Sequence, residues 1–181
     1  MKTYISILRG INVSGKNLIK IDALKQMYEG LGFQSVKTYI QSGNVVFKSE
    51  DSPIEELEQK IFEAISKRFI LKVPVQVLEA SEFKNILDRN PFLPLLKDDI
   101  SKLHITFLWA HPEKHLVLGI ENGTYLPDKY FILGCCIYLF CPNGYGRTKL
   151  SNNFFENKLK VKATTRNLKT LMQLVALAEA L

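Results

Sequence analysis

The sequence predicts an α+β chain in which the order β-α-β-β-α-β occurs twice, with a helix at the end. Two observations carry this. Residues 1–80 alternate between strand-like and helix-like apolar spacing in that order, with no long structureless loop. After residue 101 the pattern returns in a more degenerate form. The expected division is a first α/β plait over 1–80, a connector over 81–101, and a second plait with a C-terminal helix over 102–181.

Each element has its own signal. TYISILRGI alternates as a strand, with Tyr4, Ser6 and Leu8 on one face and Ile5, Ile7 and Arg9 on the other. Leu24, Met27, Tyr28 and Leu31 recur at helical spacing, and Gly32 is a natural stop. SVKTYI and NVVFKS are β-branched and aromatic, and Gln41-Ser42-Gly43-Asn44 between them reads as a hairpin turn. Ser52-Pro53-Ile54-Glu55 has the form of a capping box with proline at the first helical position. The helix it opens carries Ile54, Leu57, Ile61, Ile65 and Phe69 on one stripe, and VPVQVLE follows as a strand.

A helix over Ser81 to Asp88 and the proline-bearing stretch Asn90 to Leu95 form the connector. KLHITFLWA is then a strand, a short helix follows Pro112, and KYFILG pairs with CIYLFCP about Gly134-Cys135. SNNFFENKL is a helix starting at Ser151, a short extended piece lies near Val161, and a last helix carries Leu168, Leu171, Met172 and Val175. Two ferredoxin-like βαββαβ plaits in tandem fit this order.

Composition excludes several classes. Of 181 residues, 46% are hydrophobic and 23% charged, so the chain can bury a core and is not disordered over most of its length. No apolar run approaches the roughly 20 residues that span a bilayer. Arg9 falls too early for a signal-peptide core. Cys135, Cys136 and Cys141 lie in a strand-like run and are expected to be reduced core thiols, which points to the cytoplasm.

The net charge of +6 is local. Between Tyr145 and Thr170 stand Arg147, Lys149, Lys158, Lys160, Lys162, Arg166 and Lys169 against Glu156 alone, while the rest of the chain carries 17 charges of each sign. A solvated basic face is the ordinary meaning of such a run, and a site for an anionic partner is the functional one. Plait topology sharpens the second reading. It sets Tyr145 to Lys149 opposite Thr164 to Asn167, each segment preceding a helix N-terminus whose unpaired N–H groups favour an anion. Arg147, Lys149, Thr165, Arg166 and Asn167 are therefore candidate ligand-binding residues, with Ser151 and Thr164 or Thr165 also expected to cap helices. In the first plait the same pairing sets Arg9 and Asn12 beside Ser42 and Asn44. These four are further candidates, unless the two asparagines merely close turns and Arg9 is a buried structural arginine.

At RGINVSGKN, TYIQSGNVVF, YGRTKLSN and ATTRN the chain resembles the bacterial domain-of-unknown-function family 1697, over about Lys2 to Leu174. The resemblance implies a tandem pair of ferredoxin-like plaits and no assigned reaction. Ser14 stands where the family has its first closing glycine, and Leu168 where tryptophan commonly follows T-T-R-N.

Other chemistry is weakly signalled. His111 and His115 are four apart but flank Pro112 without a third ligand, so no metal is expected. His104 alternates with strand residues as a structural histidine does. No P-loop or dinucleotide fingerprint occurs, so no cofactor is expected. The cysteines lack C-x-x-C spacing, Ser42 lacks a nucleophile-elbow context, and Glu156 reads as a solvated carboxylate. Three functions compete: binding of a small phosphorylated or carboxylated anion, nucleic-acid binding, and a homo-oligomeric scaffold using open sheet edges. A membrane partner is not expected, and whether the chain is an enzyme stays open.

Overall fold

A computed structural model of the chain describes residues 1–13, 15–95, 99–121 and 123–181. Ser14, the departure from the family glycine, lies outside them. The described residues form two four-stranded antiparallel sheets and six α-helices. The chain divides into two compact units. One contains Met1–Leu87 together with Met172–Leu181, and the other contains Asp88–Leu171.

The first unit runs β1 (Lys2–Leu8), α1 (Ile21–Gly30), β2 (Gln34–Tyr39), β3 (Asn44–Ser49), α2 (Ile54–Phe69), β4 (Val75–Glu79) and α3 (Ala80–Asp88), with sheet order β2-β3-β1-β4. Strand alternation sends Tyr4, Leu8, Val45, Phe47, Val75 and Val77 into one cluster with Leu24 and Tyr28 of α1 and Leu57, Ile61 and Ile65 of α2. Phe47 stacks on Phe33 at 4.4 Å between ring centroids. Ser6 is polar within this face. Its hydroxyl donates to Val45 O at 3.4 Å and so must accept from Tyr28 Oη, 2.8 Å away. The alternate residues Ile5, Ile7 and Val46 are also fully buried, so the two central strands have both faces covered. Ser52 does not cap α2. Pro53 holds the N-cap position, and its carbonyl accepts from Glu56 and Leu57 N–H.

The second unit runs β5 (Leu103–Leu108), α4 (Lys114–Glu121), β6 (Lys129–Leu133), β7 (Cys136–Phe140), α5 (Asn152–Leu159) and β8 (Ala163–Asn167), with sheet order β6-β7-β5-β8. Helix α6 (Leu168–Glu179) follows β8 directly, and its residues from Met172 on group with the first unit. Leu108, Ile137, Leu139 and Ala163 face Ile120 of α4 and Phe155 and Leu159 of α5. Here too the central strands β5 and β7 are buried on both faces, apart from the half-buried Phe140. Ser151 caps α5, accepting from Phe154 N–H at 3.3 Å. The expected second cap is corrected. ATTRN is itself strand β8, so neither Thr164 nor Thr165 caps a helix, and it is Asn167 whose Oδ1 accepts from Lys169 N–H at 2.9 Å.

The units repeat one another in detail. Leu8 N–H bonds to Gly43 O and Arg9 N–H to Pro74 O. Leu108 N–H bonds to Cys135 O and Trp109 N–H to Lys162 O at the corresponding strand ends.

Candidate functional site

At the end of β1 the polar residues serve the backbone. Antiparallel pairing sets Ile7 opposite Asn44, and Leu8 N–H reaches Gly43 O at 2.7 Å, so the first two motifs do lie side by side. Asn12 adopts a left-handed conformation with φ 53° and ties three segments together. Its amide donates to Ile19 O and Gln41 O, both at 2.9 Å, and its Oδ1 accepts from Ile19 N–H at 2.8 Å. Both amide hydrogens are thus spent. Asn12 borders an open groove of about 630 Å³ shared with Asp22 and Gln41, but has only one oxygen lone pair left to offer it. Asn17 donates to Gly10 O, and the fully buried Asn44 donates to Tyr39 O at 3.3 Å and to Ser42 Oγ at 2.8 Å. Gly43 is held by sterics: a Cβ there would lie 2.7 Å from Leu8 Cβ.

In the second unit the structure brings Tyr145 and Thr165 together, as their segments were expected to meet. Thr165 is the hub of a directional chain. Its hydroxyl donates to Asn152 Oδ1 at 2.6 Å and accepts from Tyr145 Oη at 3.0 Å and Thr106 Oγ1 at 2.7 Å. A hydroxyl has one hydrogen and two lone pairs, so Thr165 is saturated. The His104 ring stacks on Tyr145 at 4.9 Å between centroids. Its Nε2 lies 3.3 Å from the Asn167 side-chain amide, which also donates to Ser101 O. Burial lowers the His104 pKa from its ordinary value. The Lys102 carbonyl opposes this in part without meeting hydrogen-bond geometry. Burial raises the pKa of the Tyr145 hydroxyl.

The two arginines are not brought to one face. Thr165 points toward Asn152 of α5, so Arg166, the next residue along β8, projects from the opposite face of the sheet. Its guanidinium donates to Thr164 Oγ1 at 3.1 Å and Thr165 O at 3.0 Å, and burial pushes its pKa down to about 10. Arg147 sits in a one-turn 3₁₀ segment, Tyr145–Arg147, and is exposed, as is Lys149. The expected convergence of Arg147 with Arg166 is therefore corrected to an exposed pair, Arg147 and Lys149, before α5. Lys158, Lys160, Lys162 and Lys169 are also exposed. Glu156, the one acid in the stretch, accepts from Ala163 N–H at 2.8 Å.

Thr106, Tyr145, Asn152 and His104 were not predicted as one cluster. The sequence signal is the alternation of His104 and Thr106 with apolar residues, which sets two polar groups on the helix-facing side of β5.

Remaining candidates fall away on geometry. Pro112 lies between His111 and α4, so His111 and His115 do not share a helical face, and His115 pairs instead with Glu113 at 3.2 Å. Among the described residues no group of three or more His, Cys, Asp or Glu is placed to hold a metal. The three cysteines are free thiols, and burial raises the Cys141 pKa to about 11. Among the described residues no helix is long and apolar enough to cross a membrane.

The solved structure of the conserved bacterial protein SP0830 from Streptococcus pneumoniae is similar over 98% of each chain, with a TM-score of 0.73 and 23% sequence identity. At that identity the likeness is one of fold. No curated protein matches. The model of a family described as "Protein of unknown function" matches residues 1–138, three quarters of the chain, and stops short of YGRTKLSN and ATTRN. The chain belongs to this family, DUF1697.

Proposed function

We propose that the protein binds a multiply charged anionic partner on the cationic surface around α5. One observation carries the reading: Arg147, Lys149, Lys158, Lys160 and Lys162 stand exposed before and after this helix, while Glu156 accepts from Ala163 N–H and the nearby Asp128 accepts from Thr148 Oγ1. Cations outnumber carboxylates there, as a phosphate-binding surface requires. Arg147 and Lys149 precede the helix start and suit a small phosphorylated or carboxylated ligand. Lys158, Lys160 and Lys162 lie at and beyond the other end, about 12 Å away for an eight-residue helix. That spread favours several phosphates over one.

Nucleic acid is the second reading, supported by the same spread. It excludes base stacking on the central strands, whose side chains are covered on both faces, so contact is to the phosphate backbone and independent of sequence. The sheet orders β2-β3-β1-β4 and β6-β7-β5-β8, each with two crossing helices, support two tandem ferredoxin-like plaits.

Thermal shift against phosphate, nucleotides, sugar phosphates and polyphosphate tests the anion reading, beside a mobility shift with single-stranded RNA and DNA at several salt concentrations. A rise in melting temperature abolished by Arg147→Ala with Lys149→Ala supports the small ligand. A salt-dependent shift weakened by Lys158→Ala with Lys160→Ala supports nucleic acid. No response in either assay at low salt ends both readings.

A further inference from the structure

Among the described residues, three of the four sheet edges carry a register slip or an N–H capped by a carboxylate, and β6 carries neither. On β2 the register slips between Gln34 and Lys37, with Ser35 at φ 52°. On β4 the outward Val77 N–H is taken by Glu58 Oε1 at 2.8 Å. On β8 the outward Ala163 N–H is taken by Glu156 Oε1 at the same distance. β6 pairs with β7 in unbroken register over all five residues and has no proline. On one face of β6, Phe131 is 48% exposed and Leu133 42%. Natural sheets seldom leave such an edge open unless something pairs with it.

We propose that β6 is the dimerisation strand of this protein and pairs antiparallel with β6 of a second copy about a two-fold axis at Phe131. Self-complementarity of this edge favours a second copy as its partner. The hairpin has a two-residue turn, Gly134-Cys135, with Gly134 at φ 59°. Such a turn is closed by a hydrogen-bonded pair, here Leu133 with Cys136. Alternation then turns the N–H and C=O of Phe131 toward β7 and those of Tyr130 and Ile132 outward. Antiparallel pairing about Phe131 sets each Tyr130 opposite the other copy's Ile132, so the four outward N–H groups meet the four outward carbonyls.

Side chains match as well. Phe131 meets its own copy at a close, non-hydrogen-bonded position, and Tyr130 meets Ile132 as an aromatic–β-branched pair. The aliphatic stem of Lys129 covers Leu133. The two lysines fall at opposite ends, about 13 Å apart along a five-residue strand, so no like charges face each other. Five residues a side make less than a standard interface, so the dimer is a weak one.

Sedimentation velocity on the full chain from about 5 to about 500 µM reads a weak dimer directly. The expected result is a mass rising toward twice the monomer. Phe131→Lys is expected to stay monomeric throughout with an unchanged melting temperature, because Phe131 lies outside the core. In a Cys135→Ser background, Phe131→Cys is expected to form a covalent dimer under mild oxidation, while Tyr130→Cys does not. A wild-type monomer at every concentration overturns the proposal and leaves the edge to a foreign strand. A dimer that persists in Phe131→Lys, or one that cross-links as readily through Tyr130→Cys, overturns it too.

Discussion

Asn167 on β8 donates its side-chain amide to Nε2 of His104 on β5, 3.3 Å away, and thereby fixes the proton of the imidazole on Nδ1. The orientation of the amide follows from its neighbours. Oδ1 is occupied by Lys169 N–H at 2.9 Å, and the second amide hydrogen goes to Ser101 O at 2.8 Å. A doubly protonated ring would turn N–H against N–H here.

A pH dependence follows. The folded-state pKa of His104 is lowered, so the unfolded chain binds the extra proton more readily and folding stability rises with pH across this titration. The contribution is fully present above the unfolded value of about 6.5 and is lost as pH falls below it. Urea denaturation between pH 7.5 and pH 5 is expected to show this decline, and His104→Gln to flatten it. A slope unchanged in His104→Gln would contradict the assignment.

Thr165→Val retains shape but removes the hub hydroxyl. Tyr145, Thr106 and Asn152 each lose a partner at once, so the cost is about 2–3 kcal/mol. Thr165→Ser is expected to recover most of it. Denaturant midpoints measured on the pair separate the hydrogen bonds from the methyl group.

Gly43→Ala is expected to cost about 2–4 kcal/mol, since the new Cβ meets Leu8 and Ile11 in a left-handed conformation at φ 73°. Gly10→Ala has the same backbone handicap at φ 71° but no atom within 4 Å of the new Cβ, so about 1 kcal/mol suffices. Equal losses in thermal unfolding would show that sterics at Gly43 are not decisive.

Asn12→Ala removes three hydrogen bonds and the side chain that best tolerates φ 53°. About 3 kcal/mol of stability is expected to go. Any ligand response of the α5 surface, measured where the variant is still folded, is expected to persist.

Much of this architecture was legible from spacing. β1, β3, β5 and β7 announce themselves by apolar alternation, and the turn at Gly134-Cys135 by its glycine between two apolar runs. β8 was legible only as a short extended piece near Val161; ATTRN has one apolar residue and becomes a strand through its pairing with β5. The misplaced arginine follows from that. Read as a helix approach, Thr165 and Arg166 point at one pocket; read as a strand, they must point to opposite faces. Asn12 and Asn44 had a turn-closing reading available from sequence, and their hydrogen bonds favour it. Nothing in residue type tells which carbonyls an asparagine will reach.

The first unit is completed by residues that follow the other unit in sequence, since Met172–Leu181 group with Met1–Leu87 while 88–171 form the other unit. On a ribosome the amino-terminal sheet therefore emerges early but waits for more than eighty further residues before its closing segment appears. During that interval the bonds from Lys48 to the Leu181 carbonyl and from Lys84 to Glu179 are not yet formed. Vectorial synthesis thus finishes the second unit before the first, and a nascent chain halted near residue 171 carries its amino-terminal half unsealed to whatever chaperone meets it.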